Sequence, residues 1–378
     1  MPTLIDRRQS TGLDPAMLGA GRLTALAGQA RGRGAAINMS GRFERLSRAL
    51  YDDGWNSLEE LPPFRTEVYD ESPKTIIARN ESPDISFDRS VNPYRGCEHG
   101  CSYCFARPTH TYLGLSAGLD FESKLFVKTD AAALLERELS APRYQARTIA
   151  LGANTDPYQP IEREYRVTRS ILEVLAKTNH PVGIVTKSHL VTRDIDILGP
   201  MAEKGLAKVA ISVTTLDRKL ARSLEPRAAT PDKRLEAIRQ LSEAGIPVSV
   251  LVAPVIPAIN DHEIERILTA ARQAGAAEAG YVLLRLPLEV RDIFAEWLVT
   301  NAPDKARHVL SLIRSTRGGK DYDARFGVRQ SGDGPFAWLI GRRFELAAQR
   351  LGFAKRRLKL DASQFRPPVQ AGGQLSLF

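Results

Sequence analysis

The chain has 378 residues, 43% of them hydrophobic and 26% charged, with a formal net charge of +9 and a pI near 9.5. That is enough apolar material for one large α/β domain with appendages. No run of eighteen apolar residues occurs, and the start MPTLIDRRQSTGLDP has no continuous apolar stretch. A membrane span and a secretory signal are therefore not expected, and the chain reads as a cytoplasmic protein. The positive balance admits a polyanionic partner, held by salt-sensitive attraction.

In chain order, residues 1–45 are rich in Gly, Ala and Arg and poor in acids, and read as a flexible basic arm. An Arg-rich, acid-poor start also has the look of an organellar presequence. Residues 46–89 form a lead-in segment in which TEVYD and KTIIARN alternate as short strands do. Over residues 90–316, short apolar runs alternate with helical patterns. A first strand near Ser90–Asn92 is followed by RTIALGA before RSILEVLAKT, PVGIVTKS before a helix over 194–203, and LAKVAISVTT before KRLEAIRQLSEAG. IPVSVLVAPVIP before HEIERILTAARQAG and AEAGYVLLRLP before VRDIFAEWLVTN complete six β-α units.

Such alternation predicts a parallel sheet with helices outside and right-handed crossovers. An open six-unit barrel and a doubly wound sheet both satisfy it. Residues 317–361 form a basic C-terminal helical region; from Arg314 to Lys359, twelve Arg or Lys stand against four acids. This is either a polyanion-binding face or a solvated helix surface. Residues 362–378, entered through LDASQFRPPVQAGG, read as a flexible tail.

Three cysteines are all the chain has, and they fall within eight residues: Cys97, Cys101 and Cys104 in NPYRGCEHGCSYCFARP. Three thiolates on one loop can each bind a separate iron of a 4Fe-4S cube and leave the fourth iron open. Gly96 and Gly100 let the backbone turn the sulfurs inward, while Glu98, His99 and Ser102 are free to stay polar and outward. The alternative is a zinc site with His99 as fourth ligand, which would crowd three ligands onto five consecutive residues. An odd number of cysteines excludes a fully paired disulfide set.

With Tyr103 before the last cysteine, this motif resembles that of the radical S-adenosylmethionine (SAM) superfamily. NPYRGC, TDPYQPIE (Thr155 to Glu162) and TKS (Thr186 to Ser188) resemble its spore photoproduct lyase branch of DNA-repair-like members. The resemblance implies a partial (β/α)6 barrel, a 4Fe-4S cluster on the three cysteines, and SAM chelating the open iron. It also implies a reductant protein such as flavodoxin or ferredoxin, and lyase-type chemistry on DNA. Reductive cleavage of SAM then yields methionine and a 5′-deoxyadenosyl radical that abstracts a hydrogen atom.

In such a barrel, reactive residues gather where strands end. Asn154, Thr155 and Asp156 end the second unit, Thr186, Lys187 and Ser188 the third, and Ser212 and Thr214 lie in the fourth. By resemblance, Thr155 and Asp156 serve the SAM amino group or ribose, and Lys187 with Ser212 its carboxylate. Tyr103 is expected to pack on the adenine side or simply as a core aromatic, and Arg227 either to pair with the SAM carboxylate or a substrate phosphate or to serve structurally at a helix start. Tyr103 and Asp156 are also the catalytic candidates. Glu225 and Arg234 follow the fourth strand, and Asn260 with Asp261 read as a helix N-cap.

Spore photoproduct lyase returns a hydrogen through a cysteine on the second-strand loop, relayed by two tyrosines flanking the last cluster cysteine. Here Ala153 stands at the donor position and Phe105 at one relay position, leaving Tyr158 or Tyr94 as substitutes. Gln374, Leu375, Ser376, Leu377 and Phe378 end the chain and resemble the pentapeptide by which bacterial repair factors dock on the β sliding clamp. The expectation is a radical SAM enzyme acting on DNA. RNA or protein modification, or a non-catalytic clamp-tethered iron-sulfur protein that binds DNA, are the alternatives.

Overall fold

The computed structural model describes residues 32–44 and 65–368. Ten strands occur among them: β1 Glu67–Asp70, β2 Ile77–Arg79, β3 Arg89–Val91, β4 Tyr94–Arg95, β5 Lys124–Val127, β6 Ile149–Leu151, β7 Val182–Thr186, β8 Ala207–Ser212, β9 Val248–Val255 and β10 Glu278–Leu283. Valine- and isoleucine-rich runs such as VSVLVAPV in β9 suit a strand whose core-facing residues are covered, and its inward positions are buried. The spacing of two apolar positions per helical turn puts Ile171, Leu172 and Leu175 of helix Val167–Lys177 against that sheet, with the same pattern in helices Pro231–Glu243 and Ile264–Gln273.

The large sheet runs in the order β10-β9-β8-β7-β6-β3-β2. From β3 to β10 every neighbouring pair is parallel, and β2 adds an antiparallel edge. Chain order and spatial order coincide along the six parallel strands, so the sheet winds one way only. A doubly wound sheet needs a reversal of strand order, and none occurs here. The result is the partial (β/α)6 barrel, with its mouth at the C-terminal strand ends. Among the described residues, no helix is long and apolar enough to cross a membrane.

A second sheet, β1-β5-β4, braces the segment that enters the cysteine loop. Tyr94 and Arg95 of β4 pair with Val127 and Phe126 of β5, and Cys97 N–H donates to the Phe121 carbonyl at 2.9 Å. Part of the expected mobile arm is folded onto this brace. Ala35 and Ile37 are buried with Ala117, Leu119 and Ile293, and the Gly34 and Ala35 N–H groups each donate to Glu122 at 2.8 Å. Burial of two apolar side chains and a carboxylate short of donors hold residues that composition alone reads as loose.

The C-terminal region divides between the two ends of the barrel. Helix Gly334–Arg350 packs beside β10, and Arg317 is buried, donating to the carbonyls of Val328 and Leu284 at 2.6 and 2.9 Å. Most of the upper basic residues are neutralised within the fold: Arg314 by Asp321, Arg325 by Asp323, Arg329 by Asp84 and Arg343 by Glu265. The remainder of the run crosses the opposite end. Ala354 N–H donates to Ala277 just before β10, Lys208 of β8 to the Leu358 carbonyl, Asp361 N–H to Gly205, and Arg366 N–H to Thr178 just before β7. The first part of the expected flexible tail is thus a strap across the barrel base, pinned by Phe365 against Tyr144 and His180. The Gln374–Phe378 terminus lies outside the described residues.

Candidate active site

The three cysteines sit on a loop at the barrel mouth, between the small sheet and the ends of β6 to β8. Gly96 and Gly100 adopt φ of 74° and 66°, the left-handed region that side chains disfavour. The loop is fastened at nearly every residue. Gln159 receives the Glu98 N–H at 2.9 Å and donates to the Gly96 carbonyl at 3.2 Å, Ser102 N–H donates to Leu224, and Arg107 donates to the Cys101 carbonyl. Below it, the fully buried Arg107 and Glu122 form an ion pair. A Cβ at Gly34 would lie 1.4 Å from the Gly100 carbonyl oxygen, so only glycine lets the N-terminal segment close over the loop.

Cys97 and Cys101 are buried, Cys104 is half-buried, and all three are free thiols. Burial pushes the Cys97 thiol well up, with Asp156, Cys101 and Cys104 adding to the effect. Burial likewise raises Cys101, while the Lys187 ammonium opposes it. Thiolates crowded in such a place persist only beside strong positive charge, which coordinated iron supplies. The residues therefore fit a cluster. Among the described residues, no three His, Cys, Asp or Glu side chains are grouped to hold a single metal ion. A cube whose irons bind separate thiolates has no such requirement. The zinc reading needs His99, which instead places Nδ1 3.4 Å from Asp156.

The residues between the cysteines are not outward. Glu98, His99 and Ser102 are buried, at 6%, 2% and 0% exposure. Glu98 pairs with Arg227 and accepts from Thr66, and His99 faces Asp156, so neighbouring elements supply partners that make burial tolerable. Ser102 Oγ is buried without a hydrogen-bond partner.

Around the loop, the mouth assembles most of the expected residues but changes several assignments. Asp156 receives Thr186 Oγ1 at 2.6 Å, Lys187 N–H at 2.8 Å and Tyr158 N–H at 2.9 Å, besides facing His99. Burial works against its charge, yet His99 and these donors hold the carboxyl down at about 2. Its oxygens are engaged by the protein, so it ties the cluster loop to β7. Thr155 Oγ1 donates to the Tyr94 carbonyl at 2.8 Å. Arg227 is committed to Glu98. Ser212 is buried at the end of β8, its carbonyl accepting from Arg234 at 3.0 Å. Lys187 Nζ lies 5.8 Å from the Tyr103 ring centroid and close enough to Cys101 to oppose the rise in its pKa. This ammonium faces the loop with a ring beneath it, the setting a carboxylate ligand needs.

Tyr103 enters a buried polar knot. Its hydroxyl donates to Glu225, which also receives Thr214 Oγ1 at 2.6 Å and pairs with Arg234. The knot joins the cluster loop to β8 and to helix Pro231–Glu243. Tyr158 and Tyr94, the substitutes the sequence offers, are both bound to carboxylates: Tyr158 is buried and donates to Asp194 at 3.1 Å, and Tyr94 is buried and donates to Glu162. Burial, together with those carboxylates, pushes both phenols up. Asn260 stands at the N-cap position of the short 3-10 helix Asp261–Glu263 that leads into helix Ile264–Gln273, but its side chain makes no capping bond. Its side chain accepts from Ile256 N–H at 2.6 Å and donates to the Thr214 and Pro254 carbonyls, closing the turn after β9. Gln159, Arg107 and Glu122 were missed by the sequence reading. Gln159 lies inside the TDPYQ run already singled out, whereas Arg107 and Glu122 carry no local signal.

A one-way parallel partial barrel with a three-thiol loop over its mouth defines a class of iron-sulfur enzymes. Residues 91–271 match the radical SAM superfamily. An uncharacterized protein of Mycobacterium tuberculosis is 38% identical over 242 residues, which cover 63% of this chain and 71% of that protein. The chain belongs to the radical SAM superfamily. A radical SAM Nα-GlyT isomerase of Pseudomonas phage M6 is 27% identical over 178 residues, covering 46% of this chain and 34% of that protein. In fold, the chain is similar to spore photoproduct lyase with bound AdoMet and dinucleoside spore photoproduct, with a TM-score of 0.55, 17% identity and coverage of 76% of this chain and 80% of that one.

Proposed function

We propose that the protein binds a 4Fe-4S cluster through Cys97, Cys101 and Cys104, cleaves SAM reductively there, and acts on DNA. When bound, the cluster supplies the electron that splits SAM into methionine and a 5′-deoxyadenosyl radical able to abstract hydrogen. The observation that carries this reading is the placement of three free thiols on a fastened loop at the mouth, with the Lys187 ammonium beside Cys101.

The chain's own residues do the positioning. Lys187 receives the SAM carboxylate, and the Ser212 strand end lines the same mouth. Asp156, Thr155, Tyr103 and Arg227 hold the loop in register with the strand ends, which keeps the site rigid. Residues 33–38 and the covering side chains exclude water from one side.

DNA is favoured as substrate by the fold likeness to a lyase whose solved structure holds AdoMet and a dinucleoside spore photoproduct. The reaction differs from the lyase in its hydrogen return, because Ala153 and Phe105 replace the donor and one relay position and both candidate tyrosines are tied to carboxylates. A reductant such as flavodoxin or ferredoxin, and recruitment by a sliding clamp, rest on the sequence. The test is 5′-deoxyadenosine release by reconstituted, reduced protein with and without ultraviolet-damaged DNA. Stimulation by damaged DNA supports the reading, and release indifferent to DNA moves the substrate to RNA or protein.

A further inference from the structure

At the base of the barrel, opposite the mouth, Arg79, Asp88, Arg89, Arg143, Gln145 and Arg147 line a cavity of about 170 Å³. Four guanidiniums face one carboxylate, a local excess of three positive charges. Arg89 begins β3 and Arg79 ends β2, and the two are direct partners across the antiparallel ladder. Like charges directly opposite repel, and Asp88 is already shared between Arg89 at 3.0 Å and Arg147 at 2.8 Å.

Arg89 is a built part of the cavity. It is 3% exposed, donates to the Gln145 carbonyl at 2.6 Å, and lies 5.6 Å over the Tyr144 ring. Arg79 and Arg143 are exposed and form no ion pair among the described residues. The basic strap arrives at the same place: Phe365 packs on Tyr144, and Lys355, Arg356, Arg357 and Lys359 are exposed along its earlier course beneath β10 and β8.

We infer that this cavity seats a phosphoryl group, and that its source is the backbone of a nucleic acid lying along the base. Tetrahedral oxyanions are the ligands that forked guanidiniums hold best, and the strap extends the positive field as a polymer would require. Only the choice of nucleic acid rests on the function proposed above; the seat stands on its own geometry.

The test uses reconstituted full-length protein and anisotropy of a labelled single-stranded DNA oligonucleotide over a salt series. In Arg79→Glu/Arg143→Glu, affinity should fall at least tenfold and the slope of log affinity against log salt should shrink by about one. Millimolar inorganic phosphate should raise the melting temperature of the wild type and not of the variant. Arg356→Glu/Arg357→Glu should weaken the oligonucleotide while keeping the phosphate response. Unchanged affinity with no phosphate response in the wild type overturns the inference. A phosphate response lost in the variant while DNA affinity is kept overturns the nucleic-acid source and assigns the seat to a small phosphorylated ligand. In all variants 5′-deoxyadenosine release without DNA should match the wild type, so failure here is distinguishable from failure of the proposed chemistry.

Discussion

The two ends of the barrel treat charge in opposite ways. At the mouth, Glu225 faces Arg234, Glu122 faces Arg107, Glu98 faces Arg227 and Asp156 faces His99. Lys187 stands apart from these pairs, resting over an aromatic ring. At the base, Arg79, Arg143 and the strap's Lys355, Arg356, Arg357 and Lys359 face solvent. The mouth spends its charges on fixing geometry, as a site for a short-lived reactive species requires. The base leaves them free, as a surface that attracts a polymer requires.

Breaking the mouth has the largest expected effect. Changing Cys97, Cys101 or Cys104 to Ala should reduce 5′-deoxyadenosine release to background and remove the SAM-responsive cluster signal, with oligonucleotide affinity unchanged. Next comes Glu225→Gln, which leaves Arg234 buried without its counter-charge. Breaking a buried pair in this way costs about 3–5 kcal/mol, whereas an exposed Arg143→Ala should change stability by no more than about 0.5 kcal/mol. Chemical denaturation of the two variants measures the contrast directly, and equal midpoints would deny that the knot is structural.

Acid sharpens the comparison. Burial lowers His180, at the base, to about 4, with its Pro181 contact opposing the shift, and lowers His110, beside the cluster loop, to about 4 as well. Both are neutral in the folded protein and prefer a proton when unfolded. Their contribution is present above about pH 6.5 and lost as pH falls toward 4, by about 3 kcal/mol each. Asp156, held at about 2, adds a further loss of about 2 kcal/mol between pH 4 and 2. His180→Gln should therefore flatten the melting temperature between pH 7 and 5 while cluster binding is retained. A slope identical to wild type would remove His180 from the account.

Lys187→Ala should weaken SAM about tenfold, the loss of one charge-assisted contact worth about 1.4 kcal/mol, with iron content unchanged. Equilibrium dialysis with SAM checks this, and a loss of iron instead would make Lys187 part of the cluster's support.

The barrel was largely legible because strands β6 to β9 sit in apolar runs and the helices between them carry amphipathic repeats, signals that need no distant partner. The cysteine loop was legible for the same reason, since its three ligands and two glycines lie within nine residues. What escaped was non-local. Nothing near Arg107 announces Glu122, and nothing near Tyr103 announces Glu225; each pair forms only when loop and barrel meet. Glu98 and His99 read as solvent-facing because polarity is visible in a sequence and the partner that permits burial is not. The basic segment misled in the other direction: its charge count was right, but Arg314, Arg325, Arg329 and Arg343 find carboxylates, and Lys355 to Lys359 cross to the far end.

The smallest expected effect on the barrel comes from removing Gln374 to Phe378. The strap is still bonded to the base at Arg366, whose N–H donates to Thr178 at 2.9 Å. Seven residues lie between Arg366 and Gln374, and the eight steps reach at most about 28 Å. A clamp engaged by those five residues would hold the barrel by its base and leave the mouth unobstructed. Truncation should abolish clamp binding in a pull-down with purified clamp while iron content, melting temperature and SAM cleavage stay at wild-type values. Retained clamp binding would sink the docking role, and a fall in SAM cleavage would mean that the tail reaches the mouth. Holding at the base and reacting at the mouth are separable only if the truncation leaves the chemistry intact.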